Sequence, residues 1–357
     1  KIKIFFNKKN QPEIIYPIKK RFKKILKNFY RSDLIIGKCN YCQYLQTINK
    51  IGKKKLLHMY ETEQSFSTSI LENPKLMGDI EQEAFEYIKI FLKVKKLNNL
   101  SMCEIGGFDG WLIKKLNSFF KKKILIEPNL RGCQIAKKNK IKTINSFFNK
   151  NLANKNQDKF DLVVTRHVIE HVPNLKNFVE NISKIIKKNG YLIVETPCLD
   201  KILELGKTRV FIHQHLHYFS LYAQRKVFSN LKLIKQNIIN ESTMITVFKK
   251  TPPTKKIKLT NSLNKKFINF KYQIDKKRER LNSVLRNNKN KIFVYGASSQ
   301  INDLITLYEL NQKKINAIID SNLKKKNYFL PSAPNLKISH LNKKKNRQKR
   351  FNNYRDR

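Results

Sequence analysis

The chain has 357 residues, 40% hydrophobic and 11% aromatic, which is more apolar material than a disordered protein carries and more length than one compact core holds. Basic residues outnumber acidic ones 75 to 26, for a net charge of +49. The lysines recur in every segment, and abundant Lys, Asn, Ile, Phe and Tyr beside only 10 Gly and 10 Pro indicate a coding bias, so a solvated basic surface is favoured over a nucleic-acid footprint.

Residues 1–74 show no long periodic pattern and read as a small irregular module. Within it, Cys39 and Cys42 form a C-x2-C pair in GKCNYCQYLQ, the spacing at which two thiolates of one knuckle share a zinc ion. Zinc needs four ligands and no second pair follows. The chain opens on Lys1 rather than methionine, so any partner cysteines are expected upstream of a truncated start; a metal-free relic is the alternative. Five cysteines are too few and too odd in number for a disulfide framework, and no run of eighteen apolar residues or signal-peptide core is present. A cytoplasmic protein without a membrane span is the expectation.

From 75 to 250 the pattern changes. Met77, Ile80, Ala84, Phe85, Ile88, Phe91 and Leu92 recur at mostly three- and four-residue intervals and predict a leading helix. Short apolar runs then alternate with helical stretches, as in a parallel sheet covered by helices. Strands are predicted near 101–105, 123–127, 141–144, 160–165 and 190–195, with helices near 110–120, 130–139, 174–188 and 220–230. KLIKQNIINE and STMITVFKK follow as antiparallel neighbours. Residues 251–289 read as a linker and a solvated helix, 290–339 as a second, smaller α/β domain, and 340–357 as a basic, disordered tail.

The sharpest motif is CEIGGFDGWLIKKL, where an acid ends a buried strand, glycines turn the chain and a helix begins. Glycine admits close backbone approach, and the first amides of a helix favour an anionic group beside them. Glu104, Gly106, Gly107, Asp109 and Gly110 are therefore candidate cofactor-binding residues. Glu127, about twenty residues on in ILIEP, closes the next strand where nucleotide-binding α/β folds place the acid for ribose hydroxyls. Gly296 in VYGAS and Asp320 form a weaker second version, for which a degenerate fold half is the favoured account.

This pattern resembles the class I S-adenosylmethionine-dependent methyltransferases, with FDLVVTRHVIEHVPN and KNGYLIVETP similar to that class's fourth and fifth strands. The resemblance implies a Rossmann-like, seven-stranded α/β core, with Arg166 and His167 on the rim of the cofactor crevice. His171, beyond the strand, reads as a packing or capping residue. More specifically, the chain resembles the three-part sugar C-methyltransferases, which join a zinc module, a methyltransferase core and a C-terminal Rossmann-like domain. That family carries a Tyr-His-Glu-His run after the fifth strand, and here the sequence is IHQHLHYFS, with His213 and His215 matching but Ile212 and Gln214 replacing tyrosine and glutamate. By resemblance His215 is the base, with His213 and Gln214 beside it as catalytic candidates, and the substrate is a nucleotide-linked keto-sugar methylated at carbon.

The histidines keep other readings open. His213, His215 and His217 alternate, so an extended stretch would turn all three to one face as a metal site, and a structural role is the further alternative. Methyl transfer to oxygen or nitrogen of a small metabolite is the second functional reading. An RNA-binding methyltransferase, suggested by charge alone, is the third, and a nucleic-acid partner is not the favoured expectation.

Overall fold

A computed structural model of the chain describes residues 2–13, 17–18, 31–40, 44–52, 69–252, 263–286, 288 and 290–340. The chain forms two compact units, Lys1–Asn7 with Leu34–Gln273 and Lys8–Asp33 with Ile274–Arg357. In order, the first elements are β1 (Ile2–Pro12), β2 (Arg31–Cys39), β3 (Leu45–Thr47), α1 (Asp79–Val94), β4 (Leu100–Ile105) and α2 (Trp111–Lys115). Then come β5 (Phe120–Glu127), α3 (Leu130–Lys138), β6 (Thr143–Asn145), α4 (Lys150–Lys155), β7 (Phe160–Arg166), α5 (Leu175–Ile185) and β8 (Ile186–Pro197). They are followed by α6 (Leu199–Glu204), β9 (His217–Tyr218), α7 (Leu221–Val227), β10 (Lys232–Ile239), β11 (Thr243–Lys249) and α8 (Leu263–Arg286). The last are β12 (Ile292–Tyr295), α9 (Ser299–Thr306), β13 (Ile315–Asp320), β14 (Phe329–Leu330) and β15 (Ala333–His340).

The core of the first unit is a seven-stranded sheet in the order β10-β11-β8-β7-β4-β5-β6. β4 pairs in parallel with β5 on one side and β7 on the other, so the strand order reverses there. β11 lies antiparallel between β8 and β10. Central strands read as unbroken apolar runs because both faces are covered: Leu162, Val163 and Val164 of β7 and Leu192, Ile193 and Val194 of β8 are all fully buried. One face packs against α5 through Phe178, Val179, Ile182 and Ile185, and the other against α1 through Ala84, Ile88 and Leu92. α5 is ended by the strand: the predicted helix to 188 stops at Ile185 because Ile186 pairs with Phe160 as the first residue of β8.

The amino-terminal region is more ordered than its lysine-interrupted sequence indicates. It is not a separate irregular module: β1 and β2 are long strands of a four-stranded sheet ordered β1-β2-β3-β9. Lys3 and Lys9 of β1 are exposed while Phe5, Phe6 and Lys8 are buried, a register that the lysine-interrupted sequence does not display. The last strand of that sheet comes from the histidine run, with Leu45 opposite Tyr218 and Gln46 opposite His217.

In the second unit β12, β13 and β15 run parallel and β14 pairs antiparallel on the edge. Ala297, Ile301, Ile318, Leu330, Ala333 and Ile338 form its core. Gly296 takes a left-handed φ of 88° between β12 and α9. Asp320 accepts hydrogen bonds from the amides of Ala297 and Asn322, both at 2.7 Å, and pairs with Lys325 Nζ at 2.9 Å. That acid thus closes its own turn. The expected basic tail from 341 and most of the expected linker lie outside the described residues.

Packing on both faces makes the sheet the main source of stability. Ile182→Ala, at 0% exposure on α5, is expected to lower the unfolding free energy by about 2–5 kcal/mol in urea denaturation. Ile90→Ala, 58% exposed on α1, should change it by less than about 0.5 kcal/mol.

Candidate active site

The carboxyl ends of four parallel strands carry charge. Glu104 lies near the end of β4 and Glu127 ends β5; Arg166 ends β7, and Glu195 sits opposite it on β8 in parallel register. Between β4 and α2 the chain turns through Gly106 and Gly110, with φ of 75° and 73°. A Cβ at Gly107 would lie 2.4 Å from Cδ of Glu104, so only glycine lets the loop fold over that carboxyl group. Glu104 is 2% exposed and its Oε2 is buried without a hydrogen-bond partner. Burial pushes its pKa up to about 8 against the pull of Arg166, with Asp109 and Glu127 adding like charge.

Glu127 is positioned by backbone amides. Phe108 N–H donates to Oε2 at 2.9 Å and Asn129 N–H to Oε1 at 2.8 Å, while burial raises its pKa above the usual carboxylate range. Asp109 proves different from the sequence expectation. It is fully buried, and its oxygens accept from the Ser69 hydroxyl at 2.7 Å, the Leu71 amide at 3.0 Å and the Trp111 amide at 3.1 Å. Its role is to tie residues 69–71 to the start of α2, rather than to face a ligand.

Arg166 and His167 are organised by Glu195, a residue the sequence reading passed over although it closes a buried strand just as Glu104 and Glu127 do. The Arg166 guanidinium pairs with Glu195 and lies 5.2 Å from the Trp111 ring centroid. His167 has a left-handed φ of 51°, which turns its ring back so that Nε2 meets Glu195 Oε1 at 3.0 Å and Nδ1 lies 3.5 Å from Glu170 Oε1. Burial opposes charge on the ring, but Glu170 and Glu195 outweigh it and hold the imidazolium up to about 10. Burial likewise opposes charge on Glu195, and Arg166 and His167 bring it down to about 2.

The histidine run is a turn, so alternation does not put its three rings on one face. His215 N–H bonds to Ile212 O at 3.1 Å, and only His217 and Tyr218 are extended. His213 and Gln214 are buried and do not line the small cavity beside His215. That cavity, of about 10 Å³, has room for one water and is bordered by Glu170, Leu199, His215, His217 and Phe219. His217 is fixed as a neutral ring: Nε2–H donates to Val172 O at 2.7 Å, and the Tyr44 hydroxyl donates to Nδ1 at 2.5 Å. The turn is pinned by Leu216 N–H to Glu170 O at 2.7 Å, Thr47 Oγ1–H to His215 O at 2.8 Å and His171 Nδ1–H to Gln214 O at 3.0 Å.

His171 is therefore more than a packing residue. Its ring stands edge-on to that of His215 with centroids 4.8 Å apart, and ligand atoms of Glu170, His171 and His215 all lie within 4.8 Å of one another. Burial pushes His215 down to about 3, with His171 adding to the effect and Glu170 opposing it. The Glu-His pair immediately after β7 was the sequence signal for this cluster. Cys39 is half-buried at the end of β2, and Cys42 lies outside the described residues, so their zinc reading rests on sequence alone.

Acids closing adjacent parallel strands, a glycine turn into a helix and a reversal of strand order between β4 and β7 mark a nucleotide-binding crevice. Residues 75–231 match a family profile described as a methyltransferase domain, and residues 254–351 match one described as a C-methyltransferase C-terminal domain. The chain therefore carries a methyltransferase domain followed by a C-methyltransferase C-terminal domain. It is 27% identical over 157 residues to the ubiquinone biosynthesis O-methyltransferase of Pelagibacter ubique, covering 43% of this chain and 59% of that protein. It is 23% identical over 166 residues to the C-methyltransferase NovU of Streptomyces niveus, covering 43% of this chain and 40% of that protein. The chain thus spans well under two thirds of the length of either relative. Among solved structures it is similar to the N-methyltransferase NodS of Bradyrhizobium japonicum, with 15% identity, coverage of 54% of this chain and 97% of that one, and a TM-score of 0.41. No helix among the described residues of the chain is long and apolar enough to cross a membrane.

The Glu195 pairs give the methyltransferase core a defined pH response. His167 has a raised pKa, so its contribution to stability is complete below the ordinary ~6.5 of histidine and is lost as pH rises through about 10. Glu195 has a depressed pKa, so its contribution is present above the ordinary ~4.3 and is lost as pH falls through about 2. In Glu195→Gln the imidazole titration of His167, followed by NMR, should move down toward ~6.5. An unmoved titration would show that Glu195 does not hold the ring charged.

Proposed function

We propose that the chain transfers the methyl group of S-adenosylmethionine to carbon next to the keto group of a nucleotide-linked sugar. The observation that carries this reading is the joining of a methyltransferase domain to a C-methyltransferase C-terminal domain in one chain. The O-methyltransferase relative supports a second reading, transfer to oxygen of a small metabolite, which requires no proton removal from carbon.

The crevice residues fit the cofactor. Glu104 offers a buried, unpartnered carboxylate oxygen to a cation, Gly106 and Gly107 keep the turn free of side chains, and Glu127 stands at the ribose position. Gly110, with its left-handed φ, is the cap from which α2 starts. When bound, S-adenosylmethionine supplies an electrophilic methyl group on a sulfonium. The remaining chemistry belongs to the chain. His215, half-buried and held neutral by burial, has a ring nitrogen able to accept the proton from carbon next to the ketone. The electron pair of that C–H bond becomes the enolate, whose carbon attacks the methyl group. Arg166 and His167 line the same edge as fixed positive charge, held by Glu195.

Two measurements bear on this proposal. Because a bound cation favours ionised Glu104, binding of S-adenosylmethionine near neutral pH should release a proton, and affinity should rise with pH up to about 8. Calorimetry in buffers of different ionisation enthalpy should detect that proton in the native chain and lose it in Glu104→Gln; equal heats for both proteins would remove Glu104 from the site. Incubation of a nucleoside diphosphate 4-keto-6-deoxyhexose in D2O with S-adenosylhomocysteine should exchange the hydrogen beside the ketone, and His215→Ala should stop the exchange. Absence of exchange in the native protein, with methyl transfer to a hydroxyl, would establish the oxygen-directed reading instead.

A further inference from the structure

The histidine run contains no carboxylate, yet His215 is not without one. Glu170, in the turn after β7, is 2% exposed, and neither carboxylate oxygen accepts a hydrogen bond from a described residue. Such a group is costly to bury and is retained where its charge is used. Its surroundings are imidazoles: His167, with Nδ1 at 3.5 Å, and His171 and His215, whose ring nitrogens lie within the same 4.8 Å cluster.

Of these three rings, one is free to change charge during proton transfer. His167 is already cationic and is paired on its other side with Glu195 at 3.0 Å. His171 spends its Nδ1–H on Gln214 O at 3.0 Å, and burial keeps it below its ordinary pKa. His215 is hydrogen-bonded by the backbone of Val210 on its own loop and faces Glu170, His171 and His167.

We infer that Glu170 is the positioning residue of the methyl-transfer site, its carboxylate orienting the His215 ring and stabilising the imidazolium formed when His215 takes the substrate proton. This rests on the reading of His215 as the base. In the step, the carbon–hydrogen bond breaks, its electron pair stays on the substrate as enolate, and the proton forms an N–H bond on His215 opposite a preformed negative charge. The proton leaves to solvent after methyl transfer, and Glu170 remains ionised throughout. Two hydrogen bonds tie the turn after β7 to the histidine turn, Leu216 N–H to Glu170 O at 2.7 Å and His171 Nδ1–H to Gln214 O at 3.0 Å. Two histidines and a glutamate could instead hold a divalent ion, but the His167 cation beside the same carboxylate opposes one there.

The test is Glu170→Gln, with Glu170→Asp as the charge-keeping control and histidine-labelled protein for NMR. Removing the negative charge should lower the midpoint of the His215 titration and reduce kcat on the keto-sugar at least roughly tenfold, with KM and S-adenosylhomocysteine affinity nearly unchanged. Glu170→Asp should recover most of both the titration and the turnover. A His215 titration that does not move in Glu170→Gln would overturn the inference. So would a stoichiometric divalent metal in the native protein that the substitution removes. His215→Ala with full turnover would overturn the base reading, whereas inactive His215→Ala beside fully active Glu170→Gln would overturn only the role of Glu170.

Discussion

Buried carboxylates at one edge of a parallel sheet must be compensated, and the arrangement of the site follows from that requirement. Glu104, Glu127 and Glu195 are 2%, 6% and 0% exposed. Taking such groups from water costs several kcal/mol each unless partners are supplied. Three different solutions occur side by side. Glu127 is satisfied by two backbone amides, Glu195 by Arg166 and His167, and Glu104 retains an unpartnered oxygen with a pKa near 8. The one left incompletely satisfied lies beneath the glycine turn, where a cationic ligand would complete it.

The Glu195 pairing also explains backbone features that would otherwise be unfavourable. A left-handed φ at a histidine is strained, and here the ring contacts to Glu195 and Glu170 fix it. That turn places Glu170 and His171 against the histidine loop, and β3 holds the same loop from its other side through Thr47 and the β3–β9 pairing. Sequence-distant pieces, from residues 44–47, 166–171 and 212–218, thus meet in one cluster. Residues 44–47 thereby become one wall of the cluster around His217.

Much of the core was legible because its signals are local. Unbroken apolar runs marked β7 and β8, period-3.6 apolar positions marked α1, and Glu104 with Gly106 and Gly110 marked a strand-turn-helix. Long-range pairing was not legible. β1 carries three lysines, of which Lys8 is buried, so its charge pattern hides a strand whose register comes from neighbouring strands. His213, His215 and His217 alternate in sequence, but a turn at Ile212 breaks the extended geometry, and only His215 and His217 border the small cavity. Asp109 illustrates the opposite error: a polar residue in a ligand-like motif proves to be fully occupied in bracing the loop. Glu170 and Glu195 gave sequence signals only in hindsight, as acids next to strand ends whose partners lie elsewhere in the chain.

Carbon methylation is the central claim, and the atom that receives the methyl group decides it. The full chain would be incubated with S-adenosylmethionine carrying a 13C-labelled methyl group and a nucleoside diphosphate 4-keto-6-deoxyhexose labelled with 13C throughout the sugar. A product whose methyl resonance shows one-bond carbon–carbon coupling to the ring carbon beside the ketone is the predicted result. A labelled methyl resonance without that coupling, at the shift of a methoxy group, would contradict it.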